Sequence, residues 1–175
     1  SGTTQWSDYT NSVPLVNIKT AKASVRNNAA KRANVMLVPY ETALVLADHP
    51  SIKDLTKYTD PKGLMESGLP STVRGLRIIE PGAVQDSSIE GRAFSPTVAW
   101  GKNAIIGYVN PSPGRKKISM AYMFVAPEPI SGTRGFATRK YQDDARKGLW
   151  VETEISYSLN MVAPGAGYLF ATCIA

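Results

Sequence analysis

The sequence predicts an α+β fold: a helix-strand-helix first part, then a second part built mostly of long strands. In the first part, apolar residues recur at three- and four-residue steps, interrupted by short, continuously apolar runs. In the second part the period falls to two, most clearly in "WVETEISYSLNM", residues 150–161. Charge divides the chain in the same region. Lys102 to Lys147 carries nine cations against Glu128, Asp143 and Asp144, and that excess of six is the whole net charge of the 175 residues. The remainder is close to neutral, so the positive excess belongs to one region. Architecture and electrostatics both change near "GYVNPSPG", residues 107–114.

Each element follows from local pattern. The opening "SGTTQWSDYTNS" is polar and rich in turn formers, and reads as an arm or linker. Leu15, Ile18, Ala21, Val25 and Ala29 then follow Ser12 and Pro14, good N-terminal residues for a helix, so an amphipathic helix runs to about Ala30. "NVMLV", residues 34–38, is short and wholly apolar, as expected of a strand covered on both faces. Pro39 punctuates it, and "YETALVLADH" forms a second helix that Pro50 stops. "SIKDLTKY" adds one or two turns with Ile52 and Leu55 facing inward. "TDPKGLMESGLPST" is a loop with room for a short helix near Pro70, and "LRIIE" is a strand closed by Pro81-Gly82. Further strands are expected at Ala93–Trp100, Ala104–Val109 and "ISMAYMFVAP". In the long strand, Val151, Thr153, Ile155, Tyr157, Leu159 and Met161 share one side, while Glu152, Glu154, Ser156, Ser158 and Asn160 share a wet one. Pro164-Gly165-Ala166-Gly167 turns the chain into "YLFATCIA", a closing buried strand.

Composition bounds the function classes. With 43% hydrophobic and 19% charged residues, the chain is ordinary globular material for one or two tightly joined domains. No stretch approaches ~18 consecutive apolar residues and no secretory leader is visible, so a soluble protein without a membrane partner is expected. The start at Ser1 without Met suggests a processed or truncated chain. A single Cys173 excludes an intrachain disulfide and a multi-cysteine metal site, and its apolar setting reads as a buried thiol.

Candidate chemistry is thin. His49, the sole histidine, precedes Pro50 at a helix end, where capping the last carbonyls explains it without a catalytic triad. Glu152 and Glu154 share a strand face, as a glycosidase pair would, but a solvated alternating strand predicts the same. Asp143-Asp144 lies among Arg139, Lys140, Arg146 and Lys147, which favours ion pairing over metal binding. "PSPGRKK" lacks the spacing of a phosphate loop, and "GAGY" lacks the last glycine of a dinucleotide fingerprint. Arg115-Lys116-Lys117 can touch phosphates, yet no aromatic stacking platforms interleave with it. No catalytic constellation survives, and no cofactor or metal is expected. Long charged strands too extended for one small domain to cover remain, and such elements usually meet a neighbouring chain.

Several stretches, in order, look like consecutive landmarks of one family. They are "NVMLVPYETALVLADHPSIKDLTKYTD", "GLPSTVRGLRIIEPGAV", "WGKNAIIGYVNPSPG" and "VAPGAGYLF". The chain resembles the tailed-bacteriophage major capsid proteins with the Hong Kong 97-type fold. "SGTTQWSDY" is similar to the segment that follows the spine helix there. The resemblance implies an arm at 1–10, an axial domain at 11–109 and 163–175, and the later strands of a peripheral domain at 110–162. "NPSPG" would be the crossing between them, its prolines fixing the chain path. The sequence holds no counterpart of that family's N-terminal arm, extended loop or spine helix, so a fragment is expected, and cross-linking through a lysine of that loop is not implied.

The expectation is therefore a non-enzymatic subunit of an icosahedral phage or prophage shell. It would self-assemble into pentamers and hexamers around double-stranded DNA, in the virion, after assembly in the bacterial cytoplasm. A scaffold, a head-maturation protease and non-specifically held DNA are the implied partners. Arg115, Lys116, Lys117, Arg139, Lys140, Arg146 and Lys147, with Glu152 and Glu154 as acidic counterparts, are the candidate subunit contacts. Alternatives are an encapsulin-like compartment, a basic nucleic-acid-binding module, and a hydrolase using Glu152 and Glu154.

Overall fold

The computed structural model describes residues 5–57, 63–125, 136–143 and 146–175, without the side chains of Phe136, Ala137 and Asp143. Two compact units result: residues 1–120 with 163–175, and residues 121–162. Residues 110–120, which the sequence division grouped with the later strands, fall in the first unit.

The first unit is built on helix α1 (Pro14–Ala29) and a five-stranded sheet. Pro14 supplies a preset φ at the first helical position, and Ile18, Ala21 and Val25 form the buried stripe. Ala30, left-handed at φ 53°, ends the helix by donating its amide to the Arg26 carbonyl. The expected cap is corrected: Val13 stands at that position, and the Ser12 hydroxyl lies 3.2 Å from His49 Nε2 instead.

Strand β1 (Val35–Leu37) is central, parallel to β3 (Leu76–Ile79) and antiparallel to β6 (Ala104–Gly107). Strands β2 (Thr72–Val73) and β11 (Gly167–Phe170) form the two edges. A parallel β1–β3 pair demands a long crossover. Helices α2 (Tyr40–Asp48) and α3 (Pro50–Thr56) lie on it. Met36, Ile78 and Ile106 on the sheet pack in one apolar cluster with Ile18 and Val25 of α1, Leu46 of α2 and Ile52 of α3. Leu55 does not join them: it is 48% exposed, because the short α3 turns only the Ile52 face inward. Pro70 forms an antiparallel bridge with Leu64 rather than a helix.

From Gln5 onward the polar opening segment is docked. Trp6 is 2% exposed, donates its amide to the Cys173 carbonyl at 2.7 Å, and tilts its ring 5.3 Å from Phe170. The closing strand stops at Phe170, with Leu169 59% exposed on this edge strand. Cys173 and Ile174 are buried beyond it, after a left-handed Thr172 (φ 51°). A short ribbon, β4 (Val84–Asp86) with β5 (Pro96–Val98), replaces the longer strand expected over Ala93–Trp100.

The second unit contains two antiparallel pairs. Strand β7 (Ala121–Val125) pairs with β10 (Tyr157–Met161), and β8 (Phe136–Asp143) with β9 (Gly148–Ile155). The single long strand expected from the alternation is thus two, separated at Ser156, each with its own partner. None of the described side chains in this unit is buried. Among the described residues no helix is long and apolar enough to cross a membrane.

Candidate subunit-contact surface

The predicted contact residues fall in two places, each within its own unit. Arg115, Lys116 and Lys117 sit in the first unit on an exposed turn, where Lys116 is left-handed at φ 62°. The others lie on the β8–β9 hairpin of the second unit. Antiparallel register sets Arg139 opposite Glu152, and the Arg139 guanidinium reaches diagonally to Glu154 at 3.3 Å. This pair is well exposed, so it orients the strands more than it stabilises them. On the same face Tyr141 stands opposite Trp150, and Arg146 lies 5.7 Å from the centre of the Trp150 ring. Lys147, left-handed at φ 47°, belongs to the hairpin turn. Lys140 occupies the opposite face, across from Val151. The side chain of Asp143, and Asp144 altogether, lie outside the described residues.

That opposite face is the feature the charge-based candidates missed. Leu149, Val151 and Ile155 share it and are exposed. In the β7–β10 pair, Ala121, Met123 and Val125 stand opposite Met161, Leu159 and Tyr157, so one whole face is apolar. Met123 is 61% and Leu159 70% exposed. The alternation in residues 150–161 was the available signal: an apolar side of such length needs cover, and the second unit is too small to supply it.

The other candidate groups have structural roles. His49 Nδ1 accepts the Ser51 amide at 3.2 Å and faces the Ser51 hydroxyl at 2.6 Å. Its Nε2 therefore carries the proton toward Ser12, while the Tyr9 ring lies edge-on at 5.8 Å. His49 thus serves both helix ends: its backbone amide donates to the Leu46 carbonyl at the end of α2, and its side chain accepts the Ser51 amide that opens α3. Burial pushes the Cys173 thiol up to about 11, which makes it a poor nucleophile. Asp86 accepts the amides of Ser88 and Ser95 and the Ser88 hydroxyl, bonds that hold its carboxyl below the usual range and pin the loop between β4 and β5.

A five-stranded sheet with helices packed on it, joined in sequence to extended strand pairs in which no described side chain is buried, is an α+β fold, and its neighbours among solved structures are phage capsid-type. Two solved structures give it particular form. A phage-related protein from Bordetella bronchiseptica RB50 is similar over 99% of this chain and 55% of its own, with a TM-score of 0.73 and 21% identity. The asymmetric unit of the bacteriophage PhiM1 mature capsid is similar over 92% of this chain and 46% of the other, with a TM-score of 0.54 and 17% identity. The chain therefore spans about half the length of the structures it matches, and at these identities the likeness is one of fold. No family model and no curated protein matches it by sequence.

Proposed function

We propose that the chain is the axial domain and later peripheral strands of a major capsid subunit. The subunit assembles through pentamers and hexamers into an icosahedral virion shell around double-stranded DNA. The observation that carries this reading is the second unit: paired strands with no buried side chain among the described residues, one face of β7–β10 wholly apolar and one face of β8–β9 lined by Arg139, Glu152, Glu154 and Trp150. Such a unit gains its burial from other chains, and copies related by rotation meet through one repeated surface. The capsid-type fold supports the same reading. Assembly in the host cytoplasm, with a scaffold and a maturation protease, belongs to this proposal.

Electron microscopy of the complete gene product, expressed with its neighbouring genes, tests it. Closed shells, or rings of five and six subunits, are expected. Arg139→Glu with Lys140→Glu should leave folded but dispersed subunits. A folded wild type that never assembles overturns the proposal, and unchanged shells from the variant remove the hairpin from the contacts. Nuclease-protected DNA inside the particles is the expected cargo; particles holding protein without DNA would make them a compartment.

A further inference from the structure

From Tyr9 to Tyr40 the chain carries five cations, Lys19, Lys22, Arg26, Lys31 and Arg32, and no carboxylate. The fold gathers three of them. Lys22 and Arg26 lie one turn apart on α1, and with Arg32 beyond its end they line an open cleft of about 390 Å³ that reaches Asn34 and Gly75. Lys22 Nζ donates to the Arg74 carbonyl, which fixes the ammonium beside the β2–β3 turn. Asn34 is committed elsewhere: its amide donates to the Val109 carbonyl at 2.8 Å and its oxygen accepts the Val109 amide at 2.9 Å.

The hydrogen bond to the Arg74 carbonyl gives Lys22 a structural role, but it does not account for Arg26 and Arg32 beside it. The helix dipole favours a cation at Arg26 in the last turn, but Lys22 lies earlier and Arg32 lies outside the helix. Like charges four residues apart on a helix repel. The ion pairs among the described residues are Asp48–Lys53 and Arg139–Glu154, and neither involves this cleft. No ion pair among the described residues therefore neutralises the cations of this cleft. One carboxylate would not balance three cations, whereas a tetrahedral dianion offers oxygens to an ammonium and to two planar guanidinium forks at once.

We propose that the cleft bounded by Lys22, Arg26 and Arg32 is a binding site for phosphate groups, either those of a DNA backbone or those of a small free phosphate. The site is independent of whether the chain assembles. It is also separate in sequence from the basic segment at Lys102–Lys147 that accounts for the net charge.

The test is an amide chemical-shift titration of the 175-residue chain with inorganic phosphate, pyrophosphate and a short DNA duplex, paired with calorimetry. Saturable shifts centred on Lys22, Arg26, Arg32 and Gly75 are expected. Lys22→Gln with Arg26→Gln should weaken binding by about tenfold or more, the loss expected for charge-assisted hydrogen bonds. Lys57→Gln with Arg92→Gln, an equal charge loss elsewhere in the first unit, should leave it within about twofold, since exposed remote charges are screened. Saturation by pyrophosphate identifies a free phosphate as the ligand, and saturation by duplex alone identifies DNA. Absent or non-saturating shifts at the cleft, or equal weakening in both variants, overturn the proposal. The shift map of the wild type decides the matter even if the cleft variant does not fold.

Discussion

Thr42 lies fully buried in α2, and its hydroxyl has no hydrogen-bond partner among the described residues. A buried hydroxyl without a partner carries its desolvation cost uncompensated. Thr42→Val keeps the shape and a similar helix propensity while removing that cost, and should stabilise the chain by about 1 kcal/mol in chemical denaturation. A loss of similar size would mean that the hydroxyl is satisfied after all. His49 is the contrasting case, a buried polar side chain with both nitrogens engaged, and it shows how far single residues are legible. That His49 is structural followed from its place at a helix end. That its ring also caps α3 did not, because this depends on Ser51 folding back and on Ser12, thirty-seven residues away, meeting the other nitrogen. Leu55 failed for a related reason: in a helix of seven residues, helical spacing alone does not decide which side finds a neighbour.

Among elements, the β6–β11 pair shows why small residues are needed at one point. Gly107 and Gly167 stand opposite one another, and a Cβ on either would come within 2.7 Å or 2.6 Å of Met120 Sδ. Met120 is the residue at which the chain leaves the first unit. Its amide donates to Tyr108 and its carbonyl accepts from Ala163, where the chain returns. Gly167→Ala should therefore displace the Met120 side chain and cost about 1–3 kcal/mol by overpacking, read as a lower denaturation midpoint at unchanged slope. An unchanged midpoint would mean that Met120 turns aside freely. Helix α1 and strands β1, β3 and β6 were legible because their burial pattern is local. The division of "WVETEISYSLNM" was not, since alternation continues through Ser156 and only the identity of the partner strands changes there. Strand β8 was hidden by its charges, and β4 by its brevity.

For the whole molecule, the net charge was legible as a sum and misleading as a map. Cations on α1 are cancelled in the count by carboxylates distant in sequence, so the cleft at Lys22 and Arg26 vanished into a near-neutral remainder. The division of hydrophobic burial is equally uneven. Every buried apolar residue described, from Trp6 to Ile174, belongs to the first unit. A unit as small as 121–162 cannot exclude water from two strand pairs by itself, so its hydrogen bonds open locally while the sheet around β1 opens only with the core. In the dispersed chain, amides of β8 and β9 should exchange roughly a hundredfold faster than those of β1 and β6, an opening free energy lower by about 3 kcal/mol. In assembled particles, the β7–β10 amides should gain the protection that the exposed faces of Met123 and Leu159 forgo in isolation. Equal protection of both units in the dispersed chain would mean that these strands are stable without a partner, and the argument from an uncovered apolar face to a neighbouring subunit would fail with it.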